Sequence, residues 1–248
     1  MKVVGVIPAR YGSTRLPGKP LKDICGKPMI WWVYHQVIKA SRVDNVVVAT
    51  DDERISSVLE EMRIPYVMTR NDHPTAANRI AEVAESLAGD FFLQLNGDEP
   101  LIDEKIVDMV VPDTIGNIEC GTNIITKMHS PAEVNDQSNI KVVFDENYNA
   151  LYMSRFPIPA PVKSISFDYY KHVGIIGYSR KMLDFYKNSV PGRLEKIEGI
   201  DTLRFLDYGK KLHFVETEHS NSLSVDTEMD LEKVRKIISG RCEYLEGE

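Results

Sequence analysis

The chain has 248 residues, with 30 lysines and arginines against 37 aspartates and glutamates, a net charge of −7, and 43% hydrophobic residues. That length suits a single α/β unit with an insertion, and an acidic balance without a basic run argues against binding along a nucleic-acid backbone. Three widely spaced cysteines, Cys25, Cys120 and Cys242, argue against a disulfide framework or a structural zinc site. The N-terminus lacks a signal-peptide pattern and no stretch approaches the roughly 18 to 20 apolar residues of a membrane helix, so a reduced, cytoplasmic protein is expected.

Val3 to Ile7 is a continuous apolar run closed by Pro8, as in a strand buried on both faces of a parallel sheet. The segment from Ala9 to Pro20 is a loop, and Pro28 to Lys39 reads as a buried helix. Asn45 to Thr50 predicts a second buried strand, followed by Asp51-Asp52-Glu53 opening a helix to about Met62 and a short strand at Pro65 to Met68. Asn78 to Leu87 predicts a helix and Phe91 to Leu95 a strand closed by Asn96-Gly97-Asp98-Glu99-Pro100. Strands alternating with helices over this first part argue for right-handed βαβ units and a mainly parallel sheet. The middle is richer in strands, at Thr122 to Thr126, Ile140 to Asp145 and Ala150 to Ser154. The last third predicts a strand at Val173 to Tyr178, helices at Arg180 to Lys187 and Ile200 to Tyr208, a strand at Lys211 to Val215 and a closing helix at Glu228 to Ile238.

In an open α/β sheet, ligands bind beyond the carboxyl ends of the strands. After the first strand comes PARYGSTRLPGKP, with Arg10, Arg15 and Lys19 amid glycine and serine. A flexible backbone with three cations is suited to a polyphosphate, and also to an ordinary solvated turn. GxGxxG and GxxxxGK(S/T) are both absent, so dinucleotide and P-loop readings lose their support, and hydride transfer with them. Asp98 could hold magnesium against phosphates or be a turn residue; Asp226 could be a second metal ligand or a helix cap.

PARYGSTRLPGKPL with CGKPMI, then VVVATDD, NGDEPLI, SNIKVV, ALYMSR, HVGIIGY and VDTEMDLEKV follow one another across nearly the whole chain. In that order they resemble the cytidylyltransferases that make CMP-3-deoxy-manno-octulosonate, the CMP-Kdo synthetases. The resemblance implies a nucleotidyltransferase variant of the doubly wound, Rossmann-like fold, with residues 1–248 as one domain. It also implies a homodimer formed through a β-rich segment at about residues 118–170, which would contribute to the sugar pocket. It further implies that Arg10, Ser13, Arg15, Lys19, Arg70, Asn96 and Asp98 contact CTP, with Lys19, Arg10, Asp98 and Asp226 as the catalytic set. Asp98 and Asp226 would hold Mg2+, and Arg155, His172, Tyr178, Asp201 and Thr202 would line the pocket of the acidic-sugar acceptor.

Several positions depart from the family pattern. A usual DHxSGT(D/E)R segment reads Asp72-His73-Pro74-Thr75-Ala76-Ala77-Asn78-Arg79 here, and the glutamine before GDEP is Asn96. The tyrosine of HxGIYGY is Ile176, and a Glu-Gln pair expected on the sugar hydroxyls is Asp201-Thr202. The expected reaction is magnesium-dependent transfer of CMP from CTP to a hydroxyl of an acidic sugar, 3-deoxy-manno-octulosonate or a close relative, with release of pyrophosphate. The altered walls raise a second expectation, the same chemistry on another anionic acceptor: a modified octulosonate, another ulosonic acid, or a carboxylate or phosphonate. A third, from another class, is a nucleotide-binding subunit without catalysis.

Overall fold

The structure, a computed structural model, describes residues 1–12, 15–115, 119–163, 167–218 and 223–245, the last five by their backbone alone. Along the chain run β1 (Val3–Ala9), the short strands β2 (Asp23–Ile24) and β3 (Lys27–Pro28), α1 (Met29–Val37), β4 (Asn45–Thr50), α2 (Glu53–Glu61), β5 (Tyr66–Met68), α3 (Ala76–Ser86), β6 (Phe91–Leu95) and α4 (Glu104–Met109). There follow β7 (Gly121–Lys127), α5 (Pro131–Asn135), β8 (Lys141–Phe144), β9 (Ala150–Ser154), β10 (Tyr170–Ser179), α6 (Arg180–Asn188), α7 (Arg193–Glu198), α8 (Leu203–Asp207), β11 (Leu212–Thr217) and α9 (Glu228–Leu245).

The main sheet runs β11-β7-β10-β6-β1-β4-β5, with β8 and β9 branching from β10. Strands β6, β1, β4 and β5 are parallel, β7 and β11 are parallel to each other, and β10 alone of the seven runs against its neighbours. The fold is therefore the mainly parallel, Rossmann-like sheet the sequence predicts. Alternation along β1 explains the two-sided core: Val3 and Ile7 pack with Ile30 and Val33 of α1, and Val4 and Val6 pack with Ile80 and Val83 of α3.

Helix α3 starts two residues before the expected Asn78, because the Thr75 side chain accepts the Asn78 N–H and caps it. The helix expected at Ile200 to Tyr208 is shorter and has a partner, α7, that ends at Gly199 in the left-handed region (φ +63°). That break makes a turn at residues 199–202. Helices α4 and α5 are too short to leave a clear periodic pattern in the sequence.

Candidate active site

From β1 the chain winds outward through β4 and β5, then returns through α3 to place β6 on the other side of β1. The carboxyl ends of β1 and β6 therefore flank the switch point of the sheet, where such folds open a crevice. A cleft of about 510 Å³ lies there, lined among others by Arg10, Arg15, Lys19, Asn96, Asp98 and Asp226.

The loop after β1 folds back on itself, with Gly18 N–H donating to Tyr11 O at 3.0 Å and Lys19 N–H to Leu16 O at 3.1 Å. Gly18 adopts φ +66°, and a Cβ there would meet the Tyr11 ring at 3.2 Å, so glycine is required on both counts. A 3-10 turn over Lys19–Leu21 then fixes the Lys19 backbone, with Pro20 at its second position. From that anchor the Lys19 ammonium donates to Asp98 Oδ2 at 2.8 Å and to Asp226 Oδ1 at 2.9 Å. Burial opposes the charged ammonium, but the two carboxylates outweigh it and hold the Lys19 pKa above its ordinary value.

Asp226 is available because it is not the helix cap. Thr227 takes that role: its Oγ1 accepts from Asp230 N–H at 3.3 Å, and Asp230 Oδ2 accepts from Thr227 N–H at 3.0 Å. Val225 N–H donates to Asp98 O at 2.9 Å, bringing the two acidic loops together. Val225, Leu231, Val234 and Ile238 pack on Leu16, Ile24 and Met29, so α9 is fastened to the loop after β1.

Arg10 reaches across the cleft and donates to His73 O at 2.5 Å. Burial, then the charge of Arg79, lowers its pKa from the usual guanidinium value. The exposed Arg15 guanidinium pairs with Asp226 Oδ1 at 3.2 Å. Asn96 donates to Glu99 Oε1 at 3.0 Å and packs flat on β10, where a Cβ at Gly174 would lie 1.8 Å from its Nδ2. Arg70 is not among the residues lining this cleft; it pairs with Asp72 at 3.5 Å and borders a neighbouring cavity of about 400 Å³ with His73 and Asn78. Ser13 lies outside the described residues.

Of the residues expected to meet the acceptor, Arg155 belongs to a hydrogen-bonded network, whereas His172, Tyr178 and Thr202 bond to separate partners. The Glu198 carboxylate accepts from Tyr152 Oη at 3.1 Å, Ser154 Oγ at 2.8 Å and Arg155 N–H at 3.0 Å. Arg155 in turn donates to the carbonyls of Glu198, Gln137 and Gly199 at 3.0, 3.1 and 3.3 Å. Lys141 is fully buried and donates to the carbonyls of Asp136, Asn139 and Arg155 at 2.7, 3.0 and 2.6 Å. These bonds tie the end of β9 to the turn carrying Asp201 and Thr202. Thr202 is buried with its Oγ1 on Met153 Sδ at 3.5 Å, and Asp201 is half-buried, its pKa raised by burial and then by Glu195.

His172 sits on β10 where its pairing with β7 shifts register. Asn123 Nδ2 donates to Val173 O and Ile175 O at 2.8 and 2.9 Å, so Asn123 Oδ1 faces His172 Nδ1 as an acceptor at 2.7 Å. Enclosure, then the charge of Arg155, brings the His172 pKa from 6.5 down to about 4, which keeps the ring neutral. Tyr178 is a core residue, fully buried, with its hydroxyl on Gln94 Oε1 at 3.2 Å. The sequence assigns no role to Lys141 or Glu198, although Lys141 lies in the quoted SNIKVV string.

Asp98 and Asp226 aimed at one cation are the hard oxygen ligands that magnesium takes, leaving its remaining positions to phosphates and water. Among the described residues no group of three or more His, Cys, Asp or Glu gathers for a metal, so an all-protein cage is not the arrangement here. The carboxylate pair beside three cations fits a metal–polyphosphate complex.

A family model described as "Cytidylyltransferase" matches residues 4–212. The chain is 41% identical over 94% of its length to the 3-deoxy-manno-octulosonate cytidylyltransferase of Fusobacterium nucleatum, of which it covers 96%. To the enzyme of the same name from Vibrio parahaemolyticus it is 38% identical, over 98% of this chain and all of that one. Among solved structures it is similar to a CMP:2-keto-3-deoxy-manno-octonic acid synthetase complexed with CTP, with a TM-score of 0.91 and 38% identity over 97% of this chain and 100% of that one. The inositol-1-phosphate CTP transferase from T. maritima, at 15% identity and a TM-score of 0.69 over 95% of this chain and 94% of that one, shares the fold. The chain belongs to the cytidylyltransferase family, as a nucleotidyltransferase of the 3-deoxy-manno-octulosonate group.

Proposed function

We propose that the protein transfers CMP from CTP to a hydroxyl of 3-deoxy-manno-octulosonate, releasing pyrophosphate. The observation that carries this reading is the cleft at the ends of β1 and β6, where Arg10, Arg15 and Lys19 stand beside Asp98 and Asp226. The overall likeness to a CTP-complexed synthetase supports placing the nucleotide there. Lys19 and Arg10 offset charge on the phosphate oxygens as the acceptor hydroxyl approaches the α-phosphorus in line with the leaving pyrophosphate. Magnesium, held by Asp98 and Asp226 when bound, would withdraw phosphate charge and lower the pKa of the attacking hydroxyl. Lys141 and Glu198 hold the acceptor wall in place, and the neutral His172 presents a fixed tautomer to it.

The proposal extends to a homodimer formed through the β-rich segment, where Leu151, Phe156 and Val162 are 61%, 65% and 88% exposed. A cytoplasmic location is proposed on the same chemistry, since CTP is an intracellular metabolite; among the described residues no helix is long and apolar enough to cross a membrane. The test is pyrophosphate release with CTP and magnesium across a panel of acidic sugars. Turnover with 3-deoxy-manno-octulosonate at about 10⁴ M⁻¹s⁻¹ or better is the expected result. Preference for another anionic acceptor would assign the changes at Ala76, Ala77, Asn78, Asp201 and Thr202 to specificity. Binding of CTP with no turnover on any acceptor would leave a nucleotide-binding subunit.

A further inference from the structure

In the free protein both carboxylates proposed for the metal already have a cation. One ammonium, only 13% exposed, bonds Asp98 and Asp226 together, and Arg15 shares the Asp226 oxygen. Two negative and two positive groups leave this end of the cleft without net charge, so little field remains to draw in a dication. A divalent ion and an ammonium cannot occupy the same place between two carboxylates, and their like charges make each disfavour the other there. The Lys19 backbone is fixed by Gly18, Pro20 and the 3-10 turn, whereas its four-carbon side chain is flexible and its ammonium is held by ion pairs that a ligand can exchange. A triphosphate in the cleft would offer Lys19 and Arg15 stronger anionic partners and release both aspartates at once.

We propose that Lys19 is the resident counter-ion of the metal site, so that a divalent cation enters between Asp98 and Asp226 only when the nucleotide draws Lys19 away. The inference rests on the reading of those two aspartates as the metal ligands. It makes metal binding conditional on CTP, and it supplies a reset: when pyrophosphate and the CMP product leave, the ammonium returns to the carboxylates and expels the ion. The free enzyme then holds no activating metal against solvent.

The test uses Mn2+ as a paramagnetic probe, titrated into the nucleotide-free, full-length protein and followed by the loss of its free spin signal. Wild type should bind it weakly, and Lys19→Met at least tenfold more tightly at one site, with that gain removed by adding Asp98→Ala. Mn2+ should correspondingly raise the melting temperature of free Lys19→Met and leave that of wild type unchanged. Lys19→Gln, which keeps a polar tip, should behave as Lys19→Met does and serves if the methionine variant folds poorly. Equal Mn2+ affinity in free wild type and both Lys19 variants would overturn the proposal. The metal reading is tested separately in the ternary complex with CTP. If Asp98→Ala together with Asp226→Ala leaves Mn2+ retention there unchanged, the aspartates are not the ligands, and the proposal falls with them.

Discussion

The two ends of the site are held together by different means. At the phosphate end, Arg10, Arg15, Lys19, Asp98 and Asp226 come from loops after strands, and their side chains are bonded chiefly to one another or to a neighbouring carbonyl. At the acceptor end, Arg155, Lys141 and Glu198 spend their hydrogen bonds on backbone groups and on Tyr152 and Ser154. Contacts of the first kind are exchangeable, because a ligand can replace each partner with a better one. Contacts of the second kind are scaffolding, because a ligand that broke them would untie β9 from the neighbouring turns and leave partly buried carbonyls unpaired. On the proposed function, affinity for phosphate would thus be held in reserve as internal ion pairs, whereas the shape of the acceptor wall would be set before any ligand arrives.

That contrast predicts opposite responses to mutation. Asp98→Ala and Asp226→Ala should each lower turnover by at least about 10²-fold in pyrophosphate release while changing the melting temperature little, since both side chains are partly exposed. Lys141→Met should do the reverse, costing about 2–3 kcal/mol in urea unfolding, because three backbone carbonyls lose one shared donor. Lys19→Ala should weaken CTP about tenfold by calorimetry, whereas Lys22→Ala should change it less than about twofold, its ammonium lying 4.0 Å from Glu228 and outside the residues that line the cleft. Equal effects from both lysines would mean that general basic character explains the loop.

A sharper probe of the acceptor end is Glu198→Gln. It keeps the shape of the side chain and loses its charge, so the acceptor KM should rise about fivefold with the CTP KM unchanged. A matching rise for CTP would erase the distinction between the two ends. A further probe is pH dependence. His172 has its folded pKa depressed from 6.5 to about 4, so the unfolded chain takes up the proton first and stability falls as pH drops from about 6.5 towards 4. The slope from this group is at most about 1.4 kcal/mol per pH unit. His172→Asn should flatten that part of the urea-midpoint profile.

The parallel half was readable because its strands are short apolar runs with no other use for their residues, as Asn45–Thr50 and Phe91–Leu95 show by matching their expected bounds. The phosphate loop was readable too, since Arg10, Arg15 and Lys19 sit within one string. The pairing of Lys19 with Asp226 was not, because the two lie 207 residues apart and only the packing of α9 joins them. Thr227 and Asp226 are equally good caps on paper, and the choice between them rests on the reciprocal bonds with Asp230. The stop at Gly199 has a local signal, a glycine at the helix end, but the burial of Lys141 depends on contacts between β8, β9 and the segments around them that no local pattern encodes. Tyr178 fits the family string, yet its hydroxyl is used inside the core on Gln94.

The fastening of α9 onto the loop that carries Lys19 also bears on how the protein comes into being. Most of the sheet, from β1 through β11, is encoded ahead of Asp226 and can assemble while translation continues. Half of the acidic pair, and the apolar face that seats it on Leu16, Ile24 and Met29, emerges from the ribosome only after β11. A nascent chain can therefore have its sheet in place and still have an unfinished cleft, whose last lining residue, Asp226, arrives with α9.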